Sequence, residues 1–183
     1  MPKIAEIEPT PNPNAIKFVL KEALTTGVAR SYDNADAAAN DPLASELFAI
    51  PHVINVFYQD KWLTVTQDGK ASWSELMREL AVPIRAAGSE RSPSDASNAT
   101  RQAIVAEGDE TRLARINEVL DTKVRPALAA DGGGLEVIEL AGKILKVHYQ
   151  GACGSCPSSL TGTLMGIENL LQSIEPGLML EAV

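Results

Sequence analysis

Cys153 and Cys156 are the residues whose type and spacing could do chemistry: the 183-residue chain has no other cysteines, and these two sit three positions apart in GACGSCPSSL. So close a pair gains little as a structural cross-link, because the loop it would close is very short. Where no export signal is visible, such thiols bind metal or exchange electrons. Gly151 and Gly154 permit a tight loop, and Pro157 suits the first position of a helix, which puts Cys156 near the helix N-cap. Free N–H groups and the positive end of the helix dipole favour a thiolate there. The flanking residues are small, so the pair is expected to be accessible.

Two thiolates do not complete a metal site. An iron–sulfur cluster takes four cysteine ligands, and structural zinc takes four Cys or His. His148, five positions before Cys153, is the one nearby candidate of that type. Its alternation with Ile144 and Lys146 places it on a strand surface, and that plainer reading is preferred over ligation. The missing ligands are expected from a second copy of the chain, two Cys-x-x-Cys motifs supplying four sulfurs about a two-fold axis.

The elements that must position the pair can be read from periodicity. In residues 104–183, Leu113, Ile116, Leu120 and Val124 recur at helical spacing, predicting a helix from about Glu110 that bends or restarts at Pro126 and stops at Asp131, Gly132, Gly133 and Gly134. Two strands follow, LEVIEL and KILKVHYQ, joined by Ala141 and Gly142, with Leu145, Val147 and Tyr149 on one face. After the cysteines, Leu160, Leu164, Ile167, Leu171 and Ile174 mark a second helix, and LMLEAV a closing strand. Gly162 and Gly166 share a helix face, which suits either a dimer contact or packing within the domain. The three glycines after Asp131 are read as a turn, since no Lys-Ser/Thr follows to make a phosphate loop.

Residues 1–88 form a second unit. AIKFVL, VINVFY and WLTVTQ have strand composition, the last two joined by a turn at Gln59, Asp60 and Lys61. Asp41 and Pro42 open a helix through PLASELFAI; Ser72 and Glu75 have capping-box spacing before another helix, which Pro83 should kink or end. Trp62 and Trp73 are read as core or rim residues, and His52, beside Pro51 in a turn, is given no chemistry. Between the units, residues 89–103 are rich in Ser, Asn, Ala and Pro and read as a flexible linker. The expected fold class is α+β: two small α+β domains, 1–88 and 104–183, joined by that linker.

Composition limits the partners. A net charge of −8 argues against nucleic acid, which is bound by clustered Lys and Arg. Residues 104–183 carry 6 basic and 11 acidic groups, against 8 and 11 in residues 1–87. That acidity is expected to disfavour a bound anion and keep binding reversible, with Lys146 and the helix N-terminus offsetting part of it. No stretch approaches the roughly 20 apolar residues of a membrane-spanning helix. The amino terminus resembles neither a secretion nor an import signal, so a cytoplasmic location is expected, a processed organellar form aside.

The stretches DTKVRPALAADGGGLEVIEL and KVHYQGACGSCPSSLTGTLMGIENLLQ closely resemble the NifU C-terminal domain. TPNPNAIKF and DPLASELFAIPHVINVFYQDKWLTVTQ resemble the Nfu N-terminal domain, so the resemblance covers nearly all of the chain except the linker. It implies an Nfu-type iron–sulfur cluster carrier, not an enzyme, in which Cys153 and Cys156 match the family's ligand positions. It further implies a cluster, usually 4Fe-4S with 2Fe-2S as the alternative, held at a homodimer interface, received from an upstream scaffold and delivered to apo-proteins. Recognition of clients or donors is the natural role for the N-terminal domain. Gly134 departs from the acidic or amide residue common after the glycine pair, and Ser155 from a common Gly. The competing reading is a thiol–disulfide oxidoreductase; a thioredoxin-like arrangement would lead into its Cys-x-x-Cys through a βαβ unit, whereas a helix and a hairpin lead in here.

Overall fold

The computed structural model describes residues 3–87, 104–105, 109–152 and 157–183, with backbone alone at 104–105 and 157–161. The linker read at 89–103, and Cys153 and Cys156 themselves, lie outside the described residues. The chain divides into two compact units, Met1–Thr100 and Arg101–Val183.

The first unit comprises β1 (Ile4–Pro9), β2 (Ala15–Leu20), β3 (Ala29–Tyr32), α1 (Pro42–Phe48), β4 (Val53–Gln59), β5 (Trp62–Gln67) and α2 (Trp73–Ala86). The strands form one antiparallel sheet in the order β1-β2-β5-β4-β3. Its core gathers Phe18 and Leu20 of β2, Val56 of β4, and Leu63 and Val65 of β5 with Leu47 of α1 and Leu80 and Ile84 of α2. The i, i+2 pairs on the strands and the i, i+4 pair on α2 are the periodicities that turn one face of each element inward.

Several local expectations change. Gln59 pairs with Trp62, so the β4–β5 turn is the two residues Asp60 and Lys61, with Asp60 at φ 50°. Ser72 stands at the N-cap of α2 but its hydroxyl lies 2.8 Å from that of Ser74, and the expected capping box does not form. Pro83 sits inside α2, which continues to Ala86. The lost hydrogen bond falls in the last turns, where burying Pro83 and Ile84 outweighs it.

The second unit comprises β6 (Ile104–Val105), α3 (Glu110–Val119), a π-helical turn (Leu120–Val124), α4 (Arg125–Ala130), β7 (Gly133–Ala141), β8 (Ile144–Gly151), α5 (Pro157–Gln172) and β9 (Met179–Ala182). The wide turn comes immediately before Pro126: Arg125 N–H reaches back to the Leu120 carbonyl, five residues earlier, easing the clash a proline ring makes with the turn before it. The sheet order is β6-β7-β8-β9, with β7 and β8 antiparallel and the outer strands each parallel to their neighbour. Leu145, Val147 and Tyr149 pack inward against Ile116, Leu120, Leu128, Ile167 and Leu171. The β7–β8 turn is Gly142–Lys143, one residue later than expected, since Ala141 pairs with Ile144. Ile174, expected on the apolar stripe, lies beyond the end of α5 and is 40% exposed.

Candidate functional site

The described frame of the cysteine segment is a strand end and a helix start. β8 runs to Gly151, α5 begins at Pro157, and β8 and β9 are parallel strands joined through α5. Cys153 and Cys156 thus belong to the connection at the carboxyl end of a parallel strand, the place where α/β crossovers present groups to ligands. α5 is a 16-residue helix, so its first-turn N–H groups face that connection unpaired within the helix.

The root of the segment is fixed by the glycine turn before β7. Gly133 pairs with Gly151 and Gly134 with Gln150. One step further, the Ala152 N–H donates to the Gly132 carbonyl at 3.2 Å. Ala152 is 2% exposed, and Gly132 and Gly151 have φ of 78° and 66°. The turn read from sequence at Asp131–Gly134 is therefore confined to Asp131 and Gly132, because Gly133 and Gly134 already pair as the first residues of β7; it holds the neighbouring strand where it leaves the sheet.

His148 does not point to ligation: its Nδ1 lies 2.9 Å from the main-chain oxygen of Val183, at the sheet surface. Lys146 offsets one acidic group on its own hairpin. Its ammonium donates to Glu139 on β7 at 2.8 Å, and that bond raises the lysine's pKa above its ordinary value. It also lies about 17 Å along the strand from Gly151 at the usual rise per residue. Lys146 is thus paired within the β7–β8 hairpin. Gly162 and Gly166 are exposed, and among the described residues a Cβ on either would meet nothing within 4 Å. Met165 between them is 63% exposed.

In the first unit the reading of the tryptophans as core or rim residues holds. Trp73 packs partly buried against the core and donates Nε1–H to the Pro13 carbonyl at 3.0 Å, while Trp62 tilts against Phe57 with ring centroids 5.1 Å apart. His52 lies in a turn at φ 72°, its Nδ1 3.2 Å from Asp68. A cluster that the sequence reading missed surrounds Asp41. Its Oδ1 accepts from the Ala44 N–H at 3.0 Å, and its Oδ2 takes Arg30 at 2.8 Å, Tyr32 at 3.1 Å and Tyr58. Burial pushes the Asp41 carboxyl up, but the hydrogen bonds from Tyr58, Ala44, Arg30 and Tyr32 prevail and hold it below the usual carboxylate value. Burial and the Asp41 charge push the Tyr58 phenol up. The cluster is a structural hub: four donors converge on the one carboxylate. Among the described residues no three His, Cys, Asp or Glu gather as a metal site, and no helix is long and apolar enough to cross a membrane.

The fold and the site define a two-unit α+β protein that carries a dithiol at a strand–helix junction of its second unit. Residues 4–90 match the model for the Scaffold protein Nfu/NifU N terminal, and residues 116–177 match the NifU-like domain. Similar curated proteins include NifU-like protein 4, mitochondrial, of Arabidopsis thaliana, 31% identical over 171 residues, which are 91% of this chain and 60% of that protein. The NFU1 iron-sulfur cluster scaffold homolog, mitochondrial, of Drosophila persimilis is 33% identical over 175 residues, 93% of this chain and 61% of that protein. Among solved structures, the Staphylococcus aureus protein SAV1430 aligns with a TM-score of 0.40 at 21% identity, covering 45% of this chain and 98% of that one. The chain belongs to the Nfu/NifU scaffold family, with an Nfu-type N-terminal domain followed by a NifU-like domain. It spans about three fifths of the length of the curated relatives it matches. Those relatives are named as mitochondrial, so the cytoplasmic expectation finds no support in them.

Proposed function

We propose that the chain is an iron–sulfur cluster carrier in which Cys153 and Cys156 of two copies jointly hold one cluster and release it to recipient proteins. The observation that carries this reading is the pairing of a lone Cys-x-x-Cys with the start of α5 in a NifU-like domain. Thiolates are the ligands such clusters take, and the helix N-terminus favours the thiolate form. Two sulfurs per chain leave half a coordination shell, which a second copy completes. The open face of α5 at Gly162, Met165 and Gly166 leaves room for a neighbouring chain. A 4Fe-4S cluster is the favoured cargo and 2Fe-2S the alternative.

The carrier accepts a cluster from an upstream scaffold and passes it on by exchanging its thiolates, one by one, for cysteines of an apo-protein. Each exchange breaks one iron–thiolate bond to the carrier and forms one to the recipient, the proton of the incoming thiol passing to the departing thiolate, with no change of oxidation state, so the function is carriage and not catalysis. The net negative charge of the chain disfavours a bound anion and keeps retention modest. The Nfu-type domain recognises clients or donors, its buried Asp41 hub serving its own stability. The test is transfer: reconstituted protein should activate an apo-dehydratase faster than equal free iron and sulfide. Equal rates would remove the carrier role even with a cluster bound, and cluster-free reduction of insulin would favour the oxidoreductase reading instead.

A further inference from the structure

Whatever fixes Ala152 fixes where the chain departs toward Cys153. Ala152 is 2% exposed, and its N–H donates to the Gly132 carbonyl at 3.2 Å. Gly132 in turn donates its own N–H to the Ala129 carbonyl at 3.2 Å, so one residue links the end of α4 to the end of β8. It does so at φ 78°, in the left-handed region that L side chains rarely adopt, and it is itself buried.

We propose that Gly132 is a positioning residue for cluster binding: its left-handed backbone places its carbonyl under the Ala152 N–H and so sets the point from which the ligand segment starts. This rests on the carrier reading. Cluster ligation demands sulfur positions held within a few tenths of an ångström, and a residue that supports ligands without touching the metal typically accounts for roughly 10- to 100-fold in affinity. A side chain at Gly132 rotates the peptide away from φ 78° and withdraws the Gly132 carbonyl from the buried Ala152 N–H.

Gly142 supplies the control. It lies at the opposite end of the same β7–β8 hairpin at φ 60°, and among the described residues a Cβ there meets nothing within 4 Å. Gly142→Ala therefore carries the same kind of backbone strain without touching Ala152. Two measurements on the full chain compare Gly132→Ala, Gly132→Asn and Gly142→Ala with wild type. The first needs no iron: amide hydrogen exchange at Ala152 in the apo-protein should be about 10-fold faster in Gly132→Ala than in Gly142→Ala, with partial recovery in Gly132→Asn, because Asn tolerates the left-handed region. The second is iron loss to a chelator after anaerobic reconstitution, expected to be roughly 10-fold faster in Gly132→Ala than in Gly142→Ala. Equal behaviour of the two alanine variants in both measurements overturns the proposal. Should Gly132→Ala not fold, Gly132→Asn against Gly142→Asn gives the same comparison. If wild type takes up no cluster, the carrier reading falls, and Ala152 exchange still decides whether Gly132 holds the root of the segment.

Discussion

Two side chains carry the proposed chemistry and one carboxylate organises the other domain; they differ in how far apart their partners lie along the chain. Cys153 and Cys156 could be picked out because both residues and the helix start after them fall within a few positions. Asp41 was legible as a helix cap, and its Oδ1 does cap α1 through Ala44. Its hub was not, because Arg30, Tyr32 and Tyr58 stand 11, 9 and 17 residues away and meet it only once β3 and β4 pair. Asp41→Ala should destabilise the N-terminal domain by about 3 kcal/mol or more, through loss of the cap and of a buried charge partner, measured by urea unfolding. The pH dependence has a definite sign. A carboxyl depressed by folding contributes its full stabilisation above the ordinary unfolded value of about 3.9 and loses it as pH falls through the lower folded value. The urea midpoint of this domain should accordingly fall below about pH 4, and Asp41→Asn should flatten that fall.

Among elements, those with a strong inward face could be read from sequence, whereas of the four edge strands among the described residues only β9 could. β4 and β5 lie inside the five-stranded sheet and are rich in β-branched residues, and α5 has its Ile167 and Leu171 buried. β1, β3 and β6 were missed: each is an edge strand, β1 is mostly exposed, and β6 has two residues. An edge strand needs no second apolar row, so alternation fades. The break at Pro126 was expected, but its form as a π-helical turn was not, since periodicity locates an interruption without specifying its hydrogen bonds. The edge of β9 is covered from α5: Glu168 accepts from the Leu180 N–H at 3.3 Å, and Gln172 donates to the Leu178 carbonyl at 3.1 Å. Glu168→Ala should cost about 1 kcal/mol in chemical denaturation, and its uncovered edge should raise concentration-dependent self-association in sedimentation. Unchanged stability and mass would show that this cover contributes nothing.

For the whole molecule, two separate hydrophobic cores imply two separable unfolding events. Calorimetry of the apo-protein should resolve two transitions, of which Asp41→Ala lowers one by about 10 °C or more and leaves the other in place. A single transition moved as a unit would mean that the domains unfold together. The expectation of two α+β domains holds, while the parallel pairing of β9 with β8 and the bracing of Ala152 by the glycine turn were not legible, since both depend on contacts formed by the folded sheet. The proposed sharing of a cluster between chains belongs to this scale as well, because two thiols per copy supply only half of four ligands. Native mass measurement after oxygen-free reconstitution tests it most directly. The account predicts a species of two chains with about four irons, absent when Cys153 or Cys156 is replaced by Ser. Iron bound stoichiometrically by a single chain, or retained in the absence of those thiols, would contradict it.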